Sequence, residues 1–97
     1  MKFRITKPLF AAWLAKTRAR FYGRPYTFTC CPITRFAQAH GHKGACSGSG
    51  TIWTRGGGIL VSATRWIHQV QMACDLANPR PTTGKAALAL LRDRGIL

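Results

Sequence analysis

Residues 51–77 run Thr-Ile-Trp-Thr-Arg-Gly-Gly-Gly-Ile-Leu-Val-Ser-Ala-Thr-Arg-Trp-Ile-His-Gln-Val-Gln-Met-Ala-Cys-Asp-Leu-Ala. Two short β-prone runs, Thr51–Thr54 and Ile59–Ser62, flank Arg55-Gly56-Gly57-Gly58, and a glycine-rich turn between such runs predicts a hairpin. The periodicity then changes. After Ser62 or Thr64, either of which can cap a helix, Ile67, Val70, Cys74 and Ala77 recur at helical spacing with Trp66 and Ala73 beside them. Asn78-Pro79 stops that helix. A hairpin feeding straight into a helix sets the class as a small α+β domain.

The flanks extend the same pattern. Upstream, Cys31-Pro32 opens a shorter helix with proline at its first position. Ile33, Phe36, Ala37 and His40 share one face of it, and Gly41 stands as its stop. Residues 41–50, rich in glycine and serine, predict a flexible loop. Further upstream, Thr6 caps a helix beginning at Lys7, with Leu9, Phe10, Trp13 and Leu14 as one apolar stripe. Gly23 and Pro25 punctuate its exit, and Tyr26–Thr29 alternates like a strand. Downstream, Thr82 or Thr83 caps a last helix that ends near Gly95 and turns Leu88 and Leu91 inward. The expectation is one domain over residues 1–97, with about four helices and a small antiparallel hairpin or sheet. The first and last helices should pack on the seam of Trp66, Ile67, Val70, Cys74 and Ala77.

Charge excludes more than length does. The 97 residues carry 15 Lys+Arg against 2 Asp+Glu, a net charge of +13. There is no glutamate, and Asp75 and Asp93 are the only carboxylate side chains. Paired-carboxylate glycoside chemistry, two-metal phosphoryl chemistry and calcium loops all need more acids than this. The sequence therefore points to a non-enzymatic protein without a cofactor. Asp75, late in the third helix, opposes the helix dipole and is expected to pair with a cation such as Arg80.

Uncompensated positive charge repels itself and suits a polyanionic partner. Ten of the fifteen cations are arginine, whose planar fork grips phosphate and stacks on bases. Nucleic acid or a nucleoprotein is the expected partner. The candidate contacts are Lys16, Arg18, Arg20 and Arg24, the interleaved aromatics Phe21 and Tyr22, and Trp53 with Arg55 at the hairpin. Aromatics set among arginines stack bases while the cations neutralise phosphate; the competing role for Phe21 and Tyr22 is to plug the core under the first helix.

Three smaller patterns carry chemistry on paper. Cys31, His40, His42 and Cys46 are zinc-ligand types within 16 residues, but their spacing fits no finger, knuckle or ribbon, and no metal is expected. Cys31 at a helix start could be a nucleophile with a histidine beside it, or simply a small cap ahead of Pro32. Thr82-Thr83-Gly84-Lys85 lacks the upstream glycine and following hydroxyl of a phosphate loop. The longest apolar run, Leu9–Ala15, is too short to span a membrane. Residues 1–24 are basic and acid-free, a composition that also suits a transit peptide.

Cys31-Pro32-Ile33-Thr34-Arg35-Phe36 resembles a Cys-Pro-Leu-Ala-Arg-Phe-like stretch in small uncharacterised proteins of phages and prophages. The downstream order is similar too: a glycine-containing loop, a Trp-containing helix with an Asp, then a Thr-capped Ala/Leu helix. The match runs from Cys30 to Leu91, and Thr34 departs from it. The resemblance implies origin in a mobile element and a site of action in the bacterial host cytoplasm. Small phage proteins of this length include anti-CRISPR inhibitors, and a basic one would engage guide RNA, the DNA path or an acidic protein face. The alternative to nucleic-acid binding is therefore a protein-directed inhibitor of a host defence effector. A charge of +13 excludes a DNA mimic.

Overall fold

The computed structural model describes residues 3–22 and 31–97. Along these, α1 (Lys7–Lys16), α2 (Pro32–Ala39), β1 (Cys46–Gly48), β2 (Thr51–Trp53), β3 (Ile59–Val61), α3 (Arg65–Leu76) and α4 (Gly84–Asp93) follow in order. The small α+β domain expected from the sequence is what forms. The Tyr26–Thr29 strand, with Arg24 and Cys30, lies outside the described residues.

Local chemistry sets the helix ends. Thr6 accepts a hydrogen bond from the Leu9 N–H, and Thr83 accepts one from Ala86. Cys31 caps α2 with sulfur, its Sγ 3.4 Å from the Thr34 nitrogen. Thr64 precedes α3 without a side-chain cap; its hydroxyl donates instead to the Ser62 carbonyl at 2.8 Å. Gly41, at φ +100, ends α2 in the left-handed region that glycine enters freely.

The sheet is larger than the expected hairpin. β2 pairs antiparallel with β1 as well as with β3 in the order β1-β2-β3, and Leu60 is bulged between the Ile52↔Val61 and Trp53↔Ile59 pairs. The predicted loop 41–50 thus contains a strand. Burial explains it: Ser47 is 4% exposed and its hydroxyl lies 2.6 Å from that of Thr34, which ties β1 to α2. At the β1–β2 turn, Gly50 (φ +81) presses on the start of α3, and a Cβ there would sit 2.6 Å from the Thr64 carbonyl oxygen.

Phe10, Leu14, Phe21, Ile33, Phe36, Ile52, Ile67, Val70, Cys74 and Leu91 fill the core. Phe36 takes edge-on contacts from Phe10 and Trp13, with centroids 5.7 and 5.5 Å away. α4 packs on α3 as expected, and α1 is the helix that departs from expectation. α1 lies mainly on α4 and meets α3 through Phe10 against Trp66, with centroids 6.0 Å apart. The cause is Gly84, whose missing side chain lets the start of α4 touch the Leu14 carbonyl and the Thr17 methyl of α1. Leu9 falls off the apolar stripe, 46% exposed; His40 is the C-cap of α2 and stacks its ring on Phe36, with centroids 4.1 Å apart.

Candidate functional site

The α1–α4 contact governs where the predicted cations stand. Behind α1 the chain turns at Thr17, which accepts a hydrogen bond from the Ala19 N–H. Arg20 then bridges to Thr83, and the Phe21 N–H donates to the Thr82 carbonyl at 3.0 Å. Lys16, Arg18 and Arg20 are thereby brought beside the first turn of α4, which carries Lys85, and all four are exposed. Arg35 joins them from α2, its Nε donating to the Arg20 carbonyl at 3.1 Å. No acid occurs in residues 16–22 or 82–92; the two carboxylates lie at the end of α4 (Asp93) and beside Tyr22 (Asp75). Every Lys and Arg among the described residues is exposed except Arg35, which is half-buried.

The predicted aromatics divide. Phe21 is 1% exposed and tilts against Trp13 with centroids 6.0 Å apart. Its assignment as a base-stacking residue is corrected: it plugs the core, because the bond to Thr82 fixes its side chain inward. Trp53 is not at the hairpin tip but in the central strand, half-buried, with its ring beside Gly48. Arg55 is exposed on the turn beyond β2, packed at its base against Gly44, apart from the α1–α4 cluster in the chain. Arg24 is not among the described residues.

Tyr22 takes a role that the sequence did not show. Its hydroxyl donates to the Asp75 carboxylate at 2.6 Å, across 53 residues of chain. The Arg80 guanidinium lies 5.3 Å from the centre of its ring, and the Arg80 Nε donates to the Asp75 backbone carbonyl at 2.9 Å. The expected partnership of Asp75 with Arg80 is thus made through the main chain. Burial, then the Asp75 bond, pushes the Tyr22 hydroxyl well above the usual tyrosine range. Burial also pushes the Cys74 thiol from 9.0 up to about 12, helped by the nearby Cys31 and Asp75.

Both shifts predict the same pH response. Above pH 9 the unfolded chain loses the Cys74 proton that the folded chain keeps, so alkali favours unfolding. Stability from this thiol is whole below pH 9 and declines toward pH 12. The expected loss is about 1.4 kcal/mol per pH unit at most in that window. Urea midpoints between pH 8 and 11 check it, and Cys74→Ala should flatten the fall. A midpoint independent of pH in the parent would refute the assignment.

Tyr22 and Asp75 open onto a cavity of about 390 Å³ between α3, the β1–β2 turn and the start of α2. Cys31 and Ser47 form one wall, in mutual contact at 3.2 Å and each with Thr34. Gln71 and Met72 of α3 form another. Gln71 is 6% exposed; its Oε1 accepts from the Gly50 N–H at 2.7 Å, and its Nε2 has no hydrogen-bond partner. This cavity escaped the sequence reading because its walls come from segments far apart in the chain.

The four zinc-ligand types do not assemble. Cys31 is held by hydroxyls, His40 donates through Nδ1 to the Phe36 carbonyl at 2.7 Å, His42 packs edge-on to Phe3, and Cys46 points toward the Gly44 carbonyl. Among the described residues no three of His, Cys, Asp and Glu stand together as metal ligands would. No helix among them is long and apolar enough to cross a membrane. No protein family, no curated protein and no solved structure matches the chain.

Proposed function

We propose that the chain is a non-enzymatic module that binds nucleic acid, free or within a nucleoprotein, through the cluster of Lys16, Arg18, Arg20, Arg35 and Lys85. The observation that carries this reading is the packing of α1 on α4, which gathers those cations on segments that hold no acid before Asp93. Their mutual repulsion disfavours the folded chain alone and is relieved by phosphate. Arg24 and Arg55 add two further cations in the sequence. The phage-like segment at Cys31–Phe36 supports action inside a bacterial host on behalf of a mobile element.

Counter-ion release gives the reading a number. If about six phosphates are neutralised, log K against log salt falls with a slope near −5 on duplex DNA. Replacing Lys16, Arg18 and Arg20 together by Gln should reduce that slope by about three. Fluorescence anisotropy against salt measures both. Absence of DNA and RNA binding at about 50 mM salt overturns the reading.

One observation favours a second reading, the protein-directed inhibitor. Met72 and Leu76 stand one turn apart on α3, 45% and 74% exposed, an apolar strip suited to a protein face. A chain that ignores both nucleic acids yet keeps one defined host protein through nuclease treatment belongs to that class.

A further inference from the structure

We propose that the cavity beside Tyr22 receives the base of an unpaired nucleotide. The inference rests on the nucleic-acid reading and specifies the form bound: a strand with a base free to leave the stack. Gln71 of α3 lies against the β1–β2 turn. A backbone N–H can only donate, so the bond from Gly50 fixes the carboxamide with Oε1 toward the turn and Nε2 at its other end. Gln71 lines the cavity, is 6% exposed, and leaves Nε2 without an acceptor. A buried donor without a partner is costly, and a ligand that supplies an acceptor removes the penalty.

The surroundings say what kind of acceptor. The Asp75 carboxylate and the Arg80 guanidinium both line the cavity and offset one another, so it offers no net positive charge to a phosphate. Most of the surface facing the cavity is apolar although polar residues supply much of it, and the aromatic residues Tyr22 and His68 are among its lining. An uncharged, flat group with ring-nitrogen or carbonyl acceptors fits that description, which is a nucleobase edge and face. The volume of about 390 Å³ holds a base with room for its sugar and falls in the range of small-molecule sites.

Two further features converge here. Tyr22 (φ 55) and Ser49 (φ 50) are the positive-φ non-glycine residues among those described, and both line this cavity. Backbone held in that region is strained and gathers where a site is shaped. The cation cluster also leads into the cavity along the chain. Arg20 and Tyr22 are two residues apart, at most about 7 Å between Cα atoms, so a strand gripped at Arg20 passes within about a nucleotide's length of the cavity.

The test uses the full chain and two variants. Gln71→Glu keeps the acceptor for Gly50 while removing the Nε2 donor; Gln71→Met removes both and reports any structural contribution. With a fluorescent ten-nucleotide single strand, Gln71→Glu should bind about tenfold more weakly than the parent, with the loss on duplex DNA several times smaller. Adenosine monophosphate should shift the Gln71 side-chain amide signal in a nitrogen–proton NMR spectrum of the parent. Equal losses on single strand and duplex for Gln71→Glu, or a Gln71 amide that neither ligand moves, overturns the proposal. The two readings fail separately. Polymer binding with an unmoved Gln71 amide sinks the base pocket alone. A shifted amide without polymer binding sinks the nucleic-acid reading and leaves a nucleotide site.

Discussion

Replacing Val70 by Asp should remove a large part of the molecule's stability in a single step. Val70 is fully buried between Ile67 and Cys74 on the inner face of α3, where α2 and α4 both pack. An aspartate there is either ionised without a partner or protonated with its oxygens unpaired, and both are expensive. The loss should reach about 4 kcal/mol, against a total of about 5–15 kcal/mol for a domain of this size. Val70→Ala, which only leaves a small void, should cost about 2 kcal/mol. Urea unfolding followed by far-ultraviolet circular dichroism separates the two. A Val70→Asp protein with the parental midpoint would show that this face of α3 is not the core.

Gly84→Val should be the second most damaging change, for a different reason. The glycine is needed for space rather than for conformation. Any Cβ at this position meets the Leu14 carbonyl, a backbone atom that cannot swing aside, as well as the Thr17 methyl. α1 and α4 must then separate or tilt. Overpacking against backbone puts the expected loss near 3 kcal/mol. Because the same contact gathers Lys16, Arg18 and Arg20 beside Lys85, the salt slope for DNA should flatten along with the thermal stability. A Gly84→Val protein that melts like the parent would contradict the close approach.

The sequence made the helix ends legible because each carries its own chemistry. Thr6, Cys31-Pro32 and Thr83 begin helices within one residue of where composition placed them, and Gly41 ends one. Strand β1 was illegible. Cys46-Ser47-Gly48 holds no β-branched or aromatic residue, and it is a strand because Ser47 finds Thr34 and Trp53 covers Gly48, both contacts made through the fold rather than through local propensity. Phe21 and Tyr22 could not be told apart by type. One hydrogen bond to Thr82 sends the first into the core, while Asp75 draws the second to the cavity rim. The packing of α1 on α4 hung on a single glycine that composition treats as a helix breaker.

The three-residue strands have a bearing on how copies of the protein meet one another. Among the described residues β1 and β3 are the two edges of the sheet, and β3 presents Ile59 at 61% exposure. An open edge is a template for pairing with a second chain, and an apolar residue on it strengthens the invitation. Here each edge offers a visiting strand only about two or three ladder bonds. Against that small gain stands the approach of two bodies that each carry +13. In dilute salt the long-range repulsion opposes whatever the short ladder gains. At about 1 M salt, where screening shrinks to about 3 Å, the ladder's own brevity is the remaining safeguard.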